Sequence, residues 1–280
     1  MTQTSIPYVF MRGGTSRGPY FNRADLPEDL DTLAKVLVAA VGSGHPLNID
    51  GIGGGNAVTT KVAMLSKAAD DWADVDYFFA QVSVLDGLVD FKPTCGNILG
   101  GVGAASIEMG LVAASDGETP ININAVNTGA RVNTVVQTPG GVVTYEGEKE
   151  IGGVPGSAAP VVLNFMEVAG SSTGAFLPTG KLRDTVGGIE VTCMDVAMPM
   201  VIARAEDFGL TGYESREELD ENKDFFARFE PVRQKAGELM GMGDCSKPSR
   251  PNSACWRLLR MAGRLRPGTS CRGRRILQWR

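Results

Sequence analysis

Pro93-Thr94-Cys95-Gly96-Asn97-Ile98-Leu99-Gly100-Gly101-Val102-Gly103, running on through AASIEM to Gly110, sets a thiol at the mouth of an apolar, glycine-rich segment. The run predicts a helix that starts beside Cys95 and ends at Gly110. Unpaired backbone N–H groups and the positive end of the helix dipole favour a thiolate at such a start. Most lone cysteines of intracellular chains are small buried hydrophobes. Here Gly96 leaves room for a ligand beside the sulfur, and Asn97 adds a side-chain donor. Gly100, Gly101 and Gly103 each cost a helix about 1 kcal/mol relative to alanine, which predicts very close packing of this helix against a neighbour.

Outward from that segment the pattern is α+β. Ile6 to Met11 reads as a strand, and RGGTSRGPYF as a crossing into a second one. Leu30, Leu33, Ala34, Leu37, Val38 and Val41 give Pro27 to Val41 a helical period, with acidic residues in the first turn and Gly42 as its close. Val75 to Leu85 and Val89 to Phe91 read as a hairpin turned at Asp86-Gly87. Ile121 to Val136 and Gly141 to Tyr145 read as antiparallel strands around Pro139-Gly140-Gly141. A strand from Val161 to Val168 precedes AGSSTG, the best candidate for a domain boundary. Beyond it Ile189 to Ala203 is strand-like, and Ser215 to Met240 is helical.

Composition narrows the function. With 280 residues, 43% hydrophobic and 21% charged, the chain reads as a soluble globular protein of two ordinary domains. No apolar stretch approaches a membrane span and MTQTSIPYVF lacks the features of a signal peptide, so a cytoplasmic location is the default. Cys95, Cys193, Cys245, Cys255 and Cys271 show neither paired nor metal-ligand spacing. His45 is the only histidine, which argues against a Ser-His-Asp triad or a histidine-rich metal centre.

Charge divides the chain unevenly. The stretch from Cys245 onward carries ten Lys or Arg and no acid, against 17 basic and 32 acidic residues before it. Such a tail fits an anionic partner, but no RNP-type motif, aromatic platform or zinc knuckle accompanies it, and nucleic acid is not expected as a partner. Out-of-frame translation of a GC-rich gene yields the same residue set and stands as the other reading. The tail's only local period is a short helical one around WRLLRMAGRL.

GIGGGN, residues 51–56, has neither the spacing nor the preceding strand of a dinucleotide fingerprint, and Lys61 follows Thr60, not glycine, so it is no P-loop. The loops Gly13-Gly14-Thr15-Ser16, Gly53-Gly54-Gly55 and Gly96 suit small anions, carboxylates above all, held by backbone N–H groups.

Five stretches now carry a resemblance: MRGGTSRGPYF (11–21), DGIGGGNAVTTKVA (50–63), CGNILGGVGAASIEMGLV (95–112), VTCMDVAMPMVIARAEDFGLTG (191–212) and ELMGMGDCSK (238–247). In this order they resemble the family of 4-oxalomesaconate tautomerases and 2-methylaconitate cis-trans isomerases, related in fold to diaminopimelate epimerase. The resemblance implies two pseudo-symmetric domains, each a mixed sheet around a central helix, with the site in the cleft between them. It divides the chain into residues 1–168, the start of a second domain at 169–244 whose continuation is missing, and a divergent tail, 245–280. It also implies a cofactor-independent isomerase of small unsaturated di- or tricarboxylic acids, a homodimer by analogy with relatives, and Lys61 and Cys95 at the positions that flank the substrate.

The chemistry suits those residues. Shifting a double bond beside carbonyl and carboxylate groups takes a base near neutral pKa, a second group to return the proton, and donors for the developing enolate. Lys61 is read as the base, Cys95 as its partner, and the amides of Gly96 and Asn97 as the enolate donors. Thr15, Ser16 and Arg17 are read as a carboxylate clamp, with Gly54, Gly55 and Thr60 as further substrate contacts. 4-Oxalomesaconate is the preferred substrate and 2-methylaconitate the runner-up, with residues Asp195 to Met200 selecting between them. A reading of another class is an inactive or binding-only fragment, since the tail departs from the family.

Overall fold

A computed structural model describes residues 4–166, 168–196, 198–245 and 259–262. The strands are β1 Tyr8–Arg12, β2 Arg17–Asn22, β3 Lys61–Lys67, β4 Val75–Val82, β5 Val89–Asp90, β6 Gly117–Ala125, β7 Ala130–Thr138, β8 Lys149–Glu150, β9 Ser157–Ala158, β10 Val162–Phe165, β11 Asp184–Val186, β12 Ile189–Val196, β13 Met198–Arg204 and β14 Leu259–Ala262. The helices are α1 Leu30–Val41, α2 Gly96–Leu99, α3 Val102–Glu108, α4 Arg216–Glu221 and α5 Lys223–Leu239. The chain divides into two compact units, Met1–Met166 and Glu167–Arg280.

The first unit is a mixed sheet in the order β1-β2-β3-β4-β6-β7-β10, with β5 paired to β4. The pairs β2/β3 and β4/β6 are parallel and the rest antiparallel. Strand alternation sorts its apolar side chains into two layers. Ala63, Leu65, Val75, Tyr77 and Phe79 face inward on Ile98, Leu99, Val102 and Ala105 of α2 and α3. Val62, Met64, Ala80 and Val82 face outward on Leu33, Leu37 and Val41 of α1. Strands β3 and β4 are therefore covered on both sides, which explains their nearly continuous apolar runs. Asp29 caps α1 by accepting from the N–H groups of Asp31 and Thr32, and Gly42 ends it in the left-handed conformation, φ 77°.

The glycine-rich helix is not continuous to Gly110. It forms α2 and then α3, stepped at Gly100-Gly101. Close packing accounts for the glycines: a Cβ on Gly101 would run into the Tyr20 hydroxyl, and one on Gly103 would press on Val136. Gly141 to Tyr145 is likewise not a strand. Gly140 and Gly141 both have positive φ, and the chain leaves the sheet there.

The second unit packs α5 on the sheet β11-β12-β13-β14 through Val191, Cys193, Val201, Phe225, Val232 and Ala236. Ser215 and Glu218 form a reciprocal cap at the start of α4. AGSSTG lies just past the division between the two units and is folded into the second: the buried Asp195 carboxylate accepts from the N–H groups of Ser172 and Thr173 and from the Thr173 hydroxyl, each at 2.8–3.0 Å. Asp195 thereby ties down a loop, while Ala197 and the side chain of Met198 lie outside the described residues. The helical period expected around WRLLRMAGRL gives way at Leu259–Ala262, which pairs in parallel with Val201–Arg204. The rest of the basic tail lies outside the described residues, Ser246 and Lys247 included. Among the described residues no helix is long and apolar enough to cross a membrane.

Candidate active site

Lys61 opens β3 and stands directly across the antiparallel ladder from Gln81. Its parity is that of Ala63 and Leu65, so it belongs to the inner face, with Gln81, Phe79 and Tyr77. Lys61 Nζ donates to Gln81 Oε1 at 2.7 Å and lies 5.4 Å from the centre of the Phe79 ring.

Cys95 is the N-cap of α2, and its side chain makes no capping bond. The thiol is half-buried against the same inner core. Beneath it, Tyr77 donates its hydroxyl to the Cys95 carbonyl at 3.3 Å, and Tyr20 donates to the Ile98 carbonyl at 2.6 Å. Burial, with charge at Cys95 adding to it, holds both phenols far above the ordinary range, so they remain donors that fix the backbone of this segment. Tyr77 under Cys95 and Phe79 under Lys61 are successive inner-face positions of β4, about 7 Å apart along a strand. Lys61 and Cys95 thus have neighbouring footings on one face.

The loop between β1 and β2 closes over α2. Gly14 N–H donates to the Asn97 carbonyl at 2.6 Å and Thr15 N–H to Asn97 Oδ1 at 3.0 Å, while side chains on Gly13 or Gly14 would collide with Asn97. Arg12 braces the loop from outside through the carbonyls of Gly13 and Gly14. Ser16 is 2% exposed, and its hydroxyl has no hydrogen-bond partner among the described residues. The N–H groups of Gly96, Asn97 and Ile98 likewise meet no acceptor among the described residues. A Cβ on Gly96 would meet only the Phe165 ring, at 3.5 Å, so internal packing does not demand glycine there. Unpaired donors, a glycine that packing does not demand and a thiol without a capping bond coincide at this one turn.

Other expected contacts fall elsewhere. Arg17 shares the parity of Pro19 and Phe21, which puts it on the outer face; its guanidinium stacks 5.2 Å from the Phe10 ring and against Gly54. No carboxylate pairs with it among the described residues. The glycine loop at 51–55 wraps the end of α1: Gly51, Gly53 and Gly55 donate their N–H groups to the Asn48 carbonyl, the Val41 carbonyl and Asn48 Oδ1, and none of these is left for an anion. Thr60 is fully buried and donates its hydroxyl to the Val82 carbonyl at 2.7 Å. The structure therefore brings Lys61, Cys95, Gly96, Asn97, Thr15 and Ser16 to the inner face and its rim, and does not bring Arg17, Gly54, Gly55 or Thr60 there. Gln81, Tyr77 and Tyr20 were missed, because a glutamine or tyrosine inside a strand carries no local signal.

The other described cysteines are buried. Burial, with Asp184 nearby, pushes the Cys193 thiol up to about 11, and Cys245 is fully buried. Among the described cysteines, iodoacetamide at pH 7.5 is expected to modify Cys95 and to spare Cys193 and Cys245 in the folded protein, as read by peptide mass spectrometry.

A sheet folded around a broken glycine-rich helix, with a lysine and an uncapped cysteine on its inner face, defines an α+β protein of the diaminopimelate-epimerase-like class. The PrpF protein family model matches residues 3–255, and the chain belongs to that family. It is 53% identical to YbhH of Escherichia coli (strain K12) over 241 residues, covering 86% of this chain and 69% of that protein. It is 49% identical to the 4-oxalomesaconate tautomerase of Pseudomonas putida over 251 residues, covering 90% of this chain and 70% of that one. Among solved structures it is similar to a methylitaconate-delta-isomerase, with a TM-score of 0.74 and 38% identity, covering 85% of this chain and 62% of the other. The chain thus spans about two thirds of the length of these relatives.

Proposed function

We propose that this chain is an isomerase that moves a double bond in a small unsaturated polycarboxylic acid by proton transfer, with 4-oxalomesaconate as substrate and keto-enol tautomerisation as the reaction. The observation that carries the reading is the common footing of Lys61 and Cys95 on the inner face, beside the unpaired N–H groups of Gly96 and Asn97. Lys61, as the neutral amine, removes a proton from the carbon made acidic by the neighbouring carbonyl, and the electron pair moves to the carbonyl oxygen. The Gly96 and Asn97 amides stabilise the charge that develops there. Cys95, the second proton-transfer group of the pair, delivers a proton to that oxygen to complete the enol, exchange with solvent resets both groups, and the buried Ser16 hydroxyl binds a substrate oxygen. The tautomerase of Pseudomonas putida, at 49% identity, supports the choice of acid.

Ultraviolet absorbance of the conjugated system tests it. Purified protein is expected to change the spectrum of 4-oxalomesaconate and to leave 2-methylaconitate unchanged. Turnover of 2-methylaconitate alone moves the assignment to that acid, and binding of both without spectral change leaves a binding protein.

A further inference from the structure

We infer that Gln81 is a positioning residue for Lys61, holding its amine in place on the inner face; this rests on the reading of Lys61 as the proton-transfer base. Lys61 and Gln81 are opposite residues of an antiparallel pair, so the ladder fixes their backbones. Gln81 Oε1 accepts from Lys61 Nζ at 2.7 Å. Gln81 Nε2 lies 3.2 Å from each of three acceptors, the Ala57 carbonyl, Thr60 Oγ1 and the Val82 carbonyl. Those acceptors orient the amide. Turned over, it would set its oxygen against two carbonyls and its NH2 against the amine.

Thr60 belongs to the same chain of bonds. Its hydroxyl hydrogen goes to Val82, which leaves an oxygen lone pair for Gln81. This gives Thr60 a purpose other than substrate contact: it helps to set Gln81, which sets Lys61. The amine keeps at least two N–H bonds whether or not it carries the proton, so one can stay on Oε1 through the reaction. A lysine stem has four rotatable carbons, and fixing its end removes the rotamer search before each proton transfer.

Full-length Gln81→Leu, Thr60→Val, Thr60→Ser and Lys61→Met variants test the inference. Gln81→Leu is expected to lower kcat about 10–30-fold with KM within about threefold. Thr60→Val should lower kcat about threefold, Thr60→Ser should restore it, and Thr60→Val should add nothing to Gln81→Leu. Unchanged kcat in Gln81→Leu overturns the inference, as does a rise in KM alone, which would make Gln81 a substrate contact. Turnover surviving in Lys61→Met instead overturns the reading of Lys61 as base. A readout independent of turnover is the 15N–1H signal of the Lys61 side chain, identified by its loss in Lys61→Met. It is expected in the wild type and in Thr60→Ser and to be lost by fast exchange in Gln81→Leu; its persistence there overturns the inference.

Discussion

Lys61→Met and Cys95→Ala are each expected to slow exchange of the carbon-bound substrate proton with solvent deuterium by about 10²–10⁴-fold, the usual contribution of a positioned acid or base. Methionine keeps the length and apolar contact of the lysine stem over Phe79 while removing the amine. Cys95 makes no capping bond, so alanine there deletes the thiol without uncapping α2. Thermal unfolding should therefore change little in either variant, which separates lost chemistry from lost fold. Exchange is followed by proton NMR of 4-oxalomesaconate in D2O, beside a thermal melt. Each group alone is needed, so the double variant should be scarcely slower than the singles. Near-wild-type exchange in both single variants would remove this pair from the chemistry.

Gly18→Ala and Gly96→Ala are expected to fail in opposite ways. A Cβ on Gly18 would run into the carbonyl oxygen of Lys61, where β2 and β3 approach as a parallel pair. Neither backbone can yield without opening the sheet, so overpacking of about 1–3 kcal/mol is expected. For a chain of this size that lowers the melting temperature by roughly 3–10 °C. The carbonyl that must move belongs to Lys61, so activity falls with stability. A Cβ on Gly96 meets only the edge of Phe165, at 3.5 Å, and alanine is the better helix former. That variant should melt at or slightly above the wild-type temperature and yet bind substrate at least tenfold more weakly, because the methyl group occupies the space beside the thiol. Tight binding by Gly96→Ala would place the acid elsewhere.

Much of the local structure was legible in the chain. The apolar period from Leu30 to Val41, Asp29 before it and Gly42 after it defined α1 at both ends. The glycines after Cys95 signalled close packing, and Tyr20 and Val136 are what they pack against. A glycine-rich loop offers donors only where its own fold leaves them unbonded. In the loop at 51–55 the N–H groups of Gly51, Gly53 and Gly55 go to Asn48 and Val41, the second of these at the end of α1. A hydroxyl next to Lys61 suggests a substrate contact, yet Thr60 has the opposite parity and points its oxygen into the ladder.

Composition and local pattern determined the α+β class, the start of α2 beside Cys95, and the close packing of the glycines that follow it. These rest on short-range physics: the helical and strand periods, caps, and the conformational freedom of glycine. Tertiary structure decided which strand face is the inside. That choice depends on what each layer has to bury, and it sent Lys61 toward α2 and Arg17 toward Phe10 although both begin strands. It also paired Lys61 with Gln81, twenty residues away, since register between strands is set by the packing of whole faces and is written in no single segment.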